Sequence, residues 1–409
     1  MFKYILRIET LLASFHEIVY NSFKSAIREE MEGGINMKVL ILYWGSASGS
    51  RSSALAMREQ IMDNGDDCEL LNCYTVASRK IPKKLLAAYQ EIEKEEEPSD
   101  DGTLIRLQGI AKSTNYHYNF MKAAIKSVVY RHILEGRFDV VVVTHILPAE
   151  IVTTLKNDRQ PMPPVVAVIS EYGYAPGWEK TSCDRYVVAD ESLIAVYVKA
   201  GIRKGRLMPY GIPVRKDFAK KLNKRAARRR LHINPEGKIF LIMVGSKGVG
   251  EADNLLTELI GQCGHDDVIM VLCGSNRKAY CYLQEKYSTE LSVIIREYTP
   301  HSNLFMDACD VVFTAPSGLI SSEVAVKNVP LIHLRPLTAC EVDNAEFFAE
   351  RNMSVMKKTI AEKIREAISI ASSPEKAEAM IVSQQNGINQ EAAYDIYCLL
   401  KELAEEDRY

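Results

Sequence analysis

Asp310-Val-Val-Phe-Thr-Ala-Pro-Ser-Gly-Leu-Ile-Ser-Ser-Glu323 is the stretch that decides how this chain is read. Its apolar run is of the kind that is buried on both faces of a sheet. Ala315 to Gly318 are turn residues, and a helix is expected to start near Ser321. A strand that turns and re-enters as a helix aims free backbone N–H groups at one point, where an anion such as a diphosphate can sit. Glu323, one turn into the helix, is placed to accept hydrogen bonds from a ribose diol; alternatively it only complements the helix dipole.

The same grammar extends in both directions. Val39–Tyr43, Cys68–Asn72, Asp139–Thr144, Val165–Ile169 and Arg185–Val188 read as strands separated by helices, including one from Ser52 or Ser53 to Asn64 and one over 115–136. A second series begins at Lys238, with strands expected in 238–244, 268–276, 292–298, 310–314 and 330–334, and a helix over 251–263. Continuous Val/Ile runs alternating with helices indicate parallel sheets covered on both faces. Two such α/β units joined at Tyr210-Gly-Ile-Pro213 give two facing Rossmann-like domains, with ligands at the carboxyl ends of the strands. The expected boundaries are 37–210, a basic linker over 211–237, 238–385, and a closing helix over 386–409.

Composition narrows the classes. The 409 residues are 47% hydrophobic and 25% charged, enough for two cores. A net charge of −2 gives the whole protein no field for nucleic acid, and no apolar run reaches a membrane-spanning length. The nine cysteines are scattered, with no CxxC, and read as thiols of a reducing compartment. Residues 1–36 carry Phe2, Ile5, Ile8, Leu12, Phe15, Val19, Phe23 and Ile27 at helical spacing. They read either as an amphipathic membrane-surface helix or as sequence ahead of a native start at Met37, the second being preferred.

Ser317-Gly318-Leu319…Glu323 and Pro336-Leu-Thr-Ala-Cys-Glu341-Val-Asp-Asn344-Ala345 resemble the "GGxTxxE" and "PxxxQExxNA" signature of lipid-directed glycosyltransferases. With Asp139…Thr144-His145 and Pro148, Ser170-Glu171-Tyr172…Trp178…Asp184, Gly211-Ile212-Pro213-Val214…Phe218, Gly245…Gly250, Cys273-Gly274 and Met306…Asp310, the chain from Met37 onward resembles a known family. It is that of monogalactosyldiacylglycerol synthases and processive diacylglycerol glucosyltransferases, related to the lipid II-forming N-acetylglucosaminyltransferase. The resemblance implies an α/β GT-B fold with a cleft between its domains. It implies inverting transfer of glucose or galactose from a UDP-sugar to diacylglycerol or a related lipid, at the inner face of the cell membrane, with no cofactor or metal. It puts Glu323 on the ribose, the N–H groups around Ser317, Gly318, Leu319 and Ser321 on the phosphates, and Tyr298 on the uracil. Glu341 and Asn344 would face the sugar, and Gly245, Ser246 and Gly248 would let the diphosphate approach the backbone.

The acceptor side departs from the family. Its G-x-G-H loop is here Ser48-Gly49-Ser50-Arg51, and its T-D-Y-x-x-H is Ser170-Glu171-Tyr172-Gly173-Tyr174-Ala175. Arginine cannot take a proton near pH 7. Glu171 is therefore the candidate general base, with His145 in reserve or bracing a loop, and Arg51 either contacts a phosphate or faces solvent or an acid. Arg203 to Arg230 hold twelve Lys or Arg against the single acid Asp217, a stripe suited to an anionic membrane or simply a solvated face. A different acceptor, or a silent nucleotide-sugar-binding protein, remains as the alternative. UDP-GlcNAc 2-epimerases share the fold but rely on acids and a His not found here.

Overall fold

The strands stop where the sequence changes from Val and Ile to Gly, Ser and Pro, and there the functional loops begin. The computed structural model describes residues 36–45, 49–80, 122–244 and 250–406; Lys38–Tyr409 make up one unit of the fold. The first sheet contains β1 (Lys38–Tyr43), β2 (Asp67–Asn72), β3 (Val140–Val143), β4 (Val165–Val168), β5 (Arg185–Val187) and β6 (Leu207–Met208) in the order 2-1-3-4-5-6. The second contains β7 (Ile239–Met243), β8 (Val268–Leu272), β9 (Val293–Arg296), β10 (Val311–Thr314), β11 (Leu331–His333) and β12 (Val355–Met356) in the order 12-11-10-7-8-9. Every pairing is parallel, and VVVV of β3, VVAV of β4 and VVFT of β10 are buried throughout. This is the two-domain, Rossmann-like GT-B architecture. In each sheet the order reverses beside the first strand, between β1 and β3 and between β7 and β10. Crevices at such reversals are where open α/β sheets hold ligands.

The opposite, amino-terminal ends of the strands are sealed by aspartates. Asp139 Oδ2 accepts from the Lys38 N–H at 2.7 Å, Asp184 Oδ2 from Val165 at 2.7 Å, Asp310 Oδ2 from Ile239 at 2.7 Å and Asp267 Oδ1 from Lys238 at 2.8 Å. Each carboxylate satisfies the first N–H of a strand or of the residue before it, so three acids quoted for the family resemblance have structural work here.

Four of the described helices bear on how the halves are joined. α1 (Gly49–Asp63) follows β1, α2 (Lys224–Arg230) lies in the linker, α3 (Gly318–Val326) follows β10, and α4 (Ala392–Glu406) ends the described chain. α4 packs on α1, where Tyr397 Oη donates to Asp66 Oδ2 at 2.8 Å and Lys401 pairs with the same acid at 3.1 Å. Arg228 of α2 is 5% exposed and points inward, to the Ala308, Pro235 and Gly237 carbonyls and the Asp310 carboxylate. It is thus withdrawn from the basic stripe, as are Lys216, paired with Asp63, and Lys224, paired with Asp310. Arg203, Lys204, Arg229 and Arg230 remain exposed.

Two differences from the sequence reading have simple causes. α1 starts at Gly49 rather than Ser52, because Ser50 Oγ bonds Thr144 Oγ1 at 2.8 Å and accepts from the Trp44 N–H at 3.3 Å. α3 starts at Gly318, three residues before Ser321, because the helical bond from the Ser321 N–H already reaches the Ser317 carbonyl. Residues 1–35, the first part of the expected helix over 115–136, and Gly245, Ser246 and Gly248 lie outside the described residues.

Candidate active site

α3 begins without a side-chain cap. Ser317 occupies the N-cap position, yet its hydroxyl makes no capping bond, and its own N–H donates to the Ala315 carbonyl at 2.8 Å. The Ser321 N–H is taken by the helix and the Gly318 N–H by the Glu171 carboxylate, so the open first-turn amides are those of Leu319 and Ile320. The Ser321 hydroxyl is turned inward, 3.0 Å from His333 Nε2, and cannot reach a ligand. Helix amides left uncapped beside a cavity favour an anion through both their free hydrogens and the helix dipole.

That cavity has a volume of about 940 Å³ and lies between the halves. Of the residues singled out from sequence, Arg51, Tyr298, Ser317, Leu319, Glu323 and Glu341 line it. Glu323 is only 7% exposed, and burial pushes its carboxyl up to about 7 despite the opposing pull of Arg215. Its carboxylate makes no hydrogen bond among the described residues. A buried carboxylate without a donor is costly, so its natural complement is a ligand hydroxyl. Tyr298, 61% exposed, stands at the rim, where a planar base can stack on its ring. Glu341 has one oxygen committed, since Oε2 accepts from the Leu337 N–H at 2.7 Å while Thr338 caps the Glu341 N–H at 3.2 Å.

Two guanidinium groups face this space. Arg51 sits in the first turn of α1 and makes no ion pair or hydrogen bond among the described residues. Arg215, whose guanidinium lies 5.4 Å from the centre of the Phe218 ring, lines the same wall. The sequence reading missed Arg215, because it was counted within the basic stripe. Its one signal was its place directly after the Gly211–Val214 junction.

Glu171, Asn344 and His145 do not line the cavity. Glu171, just past β4, donates nothing and accepts from Asn344 Nδ2 at 2.6 Å. Burial raises its carboxyl to about 7; the Asn344 bond opposes the rise and the charge of Glu341 adds to it. Asn344 does not face the sugar space in this conformation. It is 0% exposed, accepting from the Tyr172 N–H at 2.6 Å and donating also to the Pro316 carbonyl at 3.0 Å. His145 caps a helix, its Nδ1 accepting from the Leu147 N–H at 3.2 Å, and its ring stacks on Trp44. Burial lowers its pKa to about 4. With Nδ1 used as acceptor the neutral ring carries its proton on Nε2, a poor arrangement for taking another.

Close packing joins the turn after β4 to α3. A Cβ on Gly318 would lie 2.3 Å from the Ser170 carbonyl oxygen, and one on Gly173 would lie 2.2 Å from Asp343 Cβ. Both positions require glycine for that approach, not for any unusual φ. Tyr172 fills the joint: its ring is 4.5 Å from that of Phe347 and 5.0 Å from that of Phe348, and its hydroxyl is 2.7 Å from Ser322 Oγ. Among the described residues no group of three or more His, Cys, Asp or Glu is arranged to hold a metal, and no helix is long and apolar enough to cross a membrane.

Known proteins share this fold. Residues 51–214 match the family model of monogalactosyldiacylglycerol (MGDG) synthase. The processive diacylglycerol β-glucosyltransferase of Staphylococcus saprophyticus is 26% identical over 272 residues, which is 66% of this chain and 68% of that one. Among solved structures, the UDP-GlcNAc 2-epimerase of Neisseria meningitidis bound to UDP-GlcNAc superimposes with a TM-score of 0.62 at 13% identity, over 90% of this chain and 100% of its own. MurG of Acinetobacter baumannii gives 0.56 at 12%, over 90% and 100%. These two likenesses establish the fold alone. The chain thus has the GT-B fold, and its residues 51–214 are similar to the monogalactosyldiacylglycerol synthase family model.

Proposed function

We propose that this protein transfers a hexose, glucose or galactose, from a UDP-sugar to diacylglycerol or a related lipid alcohol, with inversion, while resting on an anionic membrane surface. The observation that carries the reading is the uncapped start of α3 opening on the same cavity as the buried, unpartnered Glu323 carboxylate. Glu323 holds the ribose diol, the Leu319 and Ile320 amides hold the diphosphate, and Tyr298 covers the uracil. Glu341 offers its second oxygen to the sugar hydroxyls. Gly245, Ser246 and Gly248 belong to the donor site by resemblance.

In the transfer, Glu171 removes the proton of the acceptor hydroxyl as that oxygen attacks the anomeric carbon. The bond from that carbon to the diphosphate breaks, and UDP leaves with the electron pair. A carboxyl with a pKa of about 7 is well matched to this work near neutrality. Arg51 and Arg215 face the growing charge on the departing diphosphate, where fixed cations stabilise the transition state. Arg203, Lys204, Arg229 and Arg230 supply the contact to the anionic leaflet, at about 1 kcal/mol for each cation near the surface.

The second reading, a different acceptor or a silent binder, is favoured by the replacement of two family imidazoles with Arg51 and Ala175. UDP release from UDP-glucose and UDP-galactose, with and without diacylglycerol in anionic vesicles, separates the two. Lipid-stimulated release that is lost in Glu323→Ala is the expected outcome. UDP binding without stimulation by lipid would move the assignment to the second reading.

A further inference from the structure

An asparagine has one acceptor oxygen and two donor hydrogens, and Asn344 uses all three. The oxygen takes the Tyr172 N–H, and the amide hydrogens go to Glu171 Oε2 and the Pro316 carbonyl. These partners also fix the amide orientation, because a flipped group would set its oxygen against a carboxylate and a carbonyl. Glu171 and Tyr172 follow β4 in the first half, whereas Pro316 precedes α3 in the second. One buried side chain therefore joins the candidate base to the turn that starts the phosphate-binding helix.

We infer that Asn344 is a positioning residue, which aims the Glu171 carboxylate and holds it ionised only when the two halves are closed. The inference rests on reading Glu171 as the base, but it assigns Asn344 a part that does not involve touching the sugar. Three facts support it. Asn344 is absent from the cavity lining and fully buried. Its bonds to Glu171 and Tyr172 cross the joint at the place where Gly318 meets Ser170 and Gly173 meets Asp343, so separating the halves breaks them. Its amide supplies the larger of two hydrogen bonds, the other from the Gly318 N–H, that oppose the push of burial and of the Glu341 charge toward the protonated form.

The test uses the full chain with 13C-labelled glutamate, the Glu171 carboxyl resonance being assigned by its loss in Glu171→Gln. Removing the amide donor in Asn344→Ala is expected to raise the Glu171 pKa by about one unit, since a hydrogen bond to a charged group is worth about that much. Asn344→Asp keeps the shape but sets an acid against the base, so its shift should be the larger. Packing alone predicts the reverse order of damage, with alanine worse than the isosteric aspartate. UDP affinity within about threefold of wild type in both variants would confirm an intact fold and donor site. An unchanged Glu171 pKa in both variants overturns the inference. The base reading is tested separately: the acid limb of kcat should follow the Glu171 pKa and vanish in Glu171→Gln. If that limb persists in Glu171→Gln, the base reading fails even where the titration shows that Asn344 controls the carboxyl.

Discussion

Two turns meet at the centre of this molecule and are built on opposite plans. The turn after β10, from Ala315 to Gly318, leads into a helix with open amides and an unpartnered Glu323. In the turn after β4, the Glu171 carboxylate, the Tyr172 amide and the Tyr172 hydroxyl all have partners across the joint. Unmet polar groups beside a cavity are a cost the folded chain carries until a ligand arrives, whereas satisfied ones hold surfaces together. Both turns resemble family motifs, but the first leaves polar groups open to the cavity and the second has its polar groups paired across the joint.

The sharpest way to break this division is at Gly318, which belongs to both parts. Gly318→Ala puts a methyl carbon 2.3 Å from the Ser170 carbonyl oxygen and 3.1 Å from its carbon, so backbone must move. Overpacking of this kind costs about 1–3 kcal/mol, and a shift near 1 Å in reacting groups slows turnover by about a hundredfold. The transfer rate is expected to fall by that factor, with a smaller loss of UDP affinity. Near-normal turnover in steady-state assays would show that the joint opens during catalysis.

Glu323→Gln isolates the binding turn. The folded-state pKa of Glu323 is raised from 4.5 to about 7. Its contribution to stability is therefore full below pH 4.5 and lost as pH rises through 7, because the folded state binds the extra proton in that window. The amide cannot ionise. Urea unfolding should find Glu323→Gln more stable than wild type by about 2–3 kcal/mol at pH 8, with little difference at pH 4. UDP affinity should fall about tenfold to a hundredfold as the charged ribose contact is lost. A stability difference independent of pH would mean that the carboxylate has a partner in solution.

The sequence carried the strands well, because the runs that form β3, β4 and β7 are apolar throughout, and that of β10 is apolar up to Thr314. It also pointed to Ser317, Leu319 and Glu323, which line the cavity, since a strand that turns into a helix is a local feature. The closing contacts were not legible. Asn344 reads as a sugar contact until its partners at Glu171 and Tyr172, more than 170 positions away, are seen against it. Arg228 and Arg215 look alike within a basic run, yet one is a buried strut and the other lines the cavity. The short strands β6 and β12, of two residues each, leave no periodicity to read.

The smallest expected effect tests what the closing turn depends on. Tyr172→Phe removes the hydroxyl 2.7 Å from Ser322 Oγ but leaves the ring against Phe347 and Phe348. Ser322 keeps its bond to the Gly318 carbonyl at 2.8 Å, so no buried donor is stranded. The loss should be about 1 kcal/mol in urea unfolding, with UDP affinity unchanged. Tyr172→Ala also empties the aromatic joint and should cost about 3–5 kcal/mol, because a buried ring contributes mainly through its packing. Similar losses for the two variants would place the closure in the hydroxyl bond instead. The turn after β4 would then be a polar latch, sensitive to hydrogen-bond geometry, rather than an apolar plug seated between two rings of the other half.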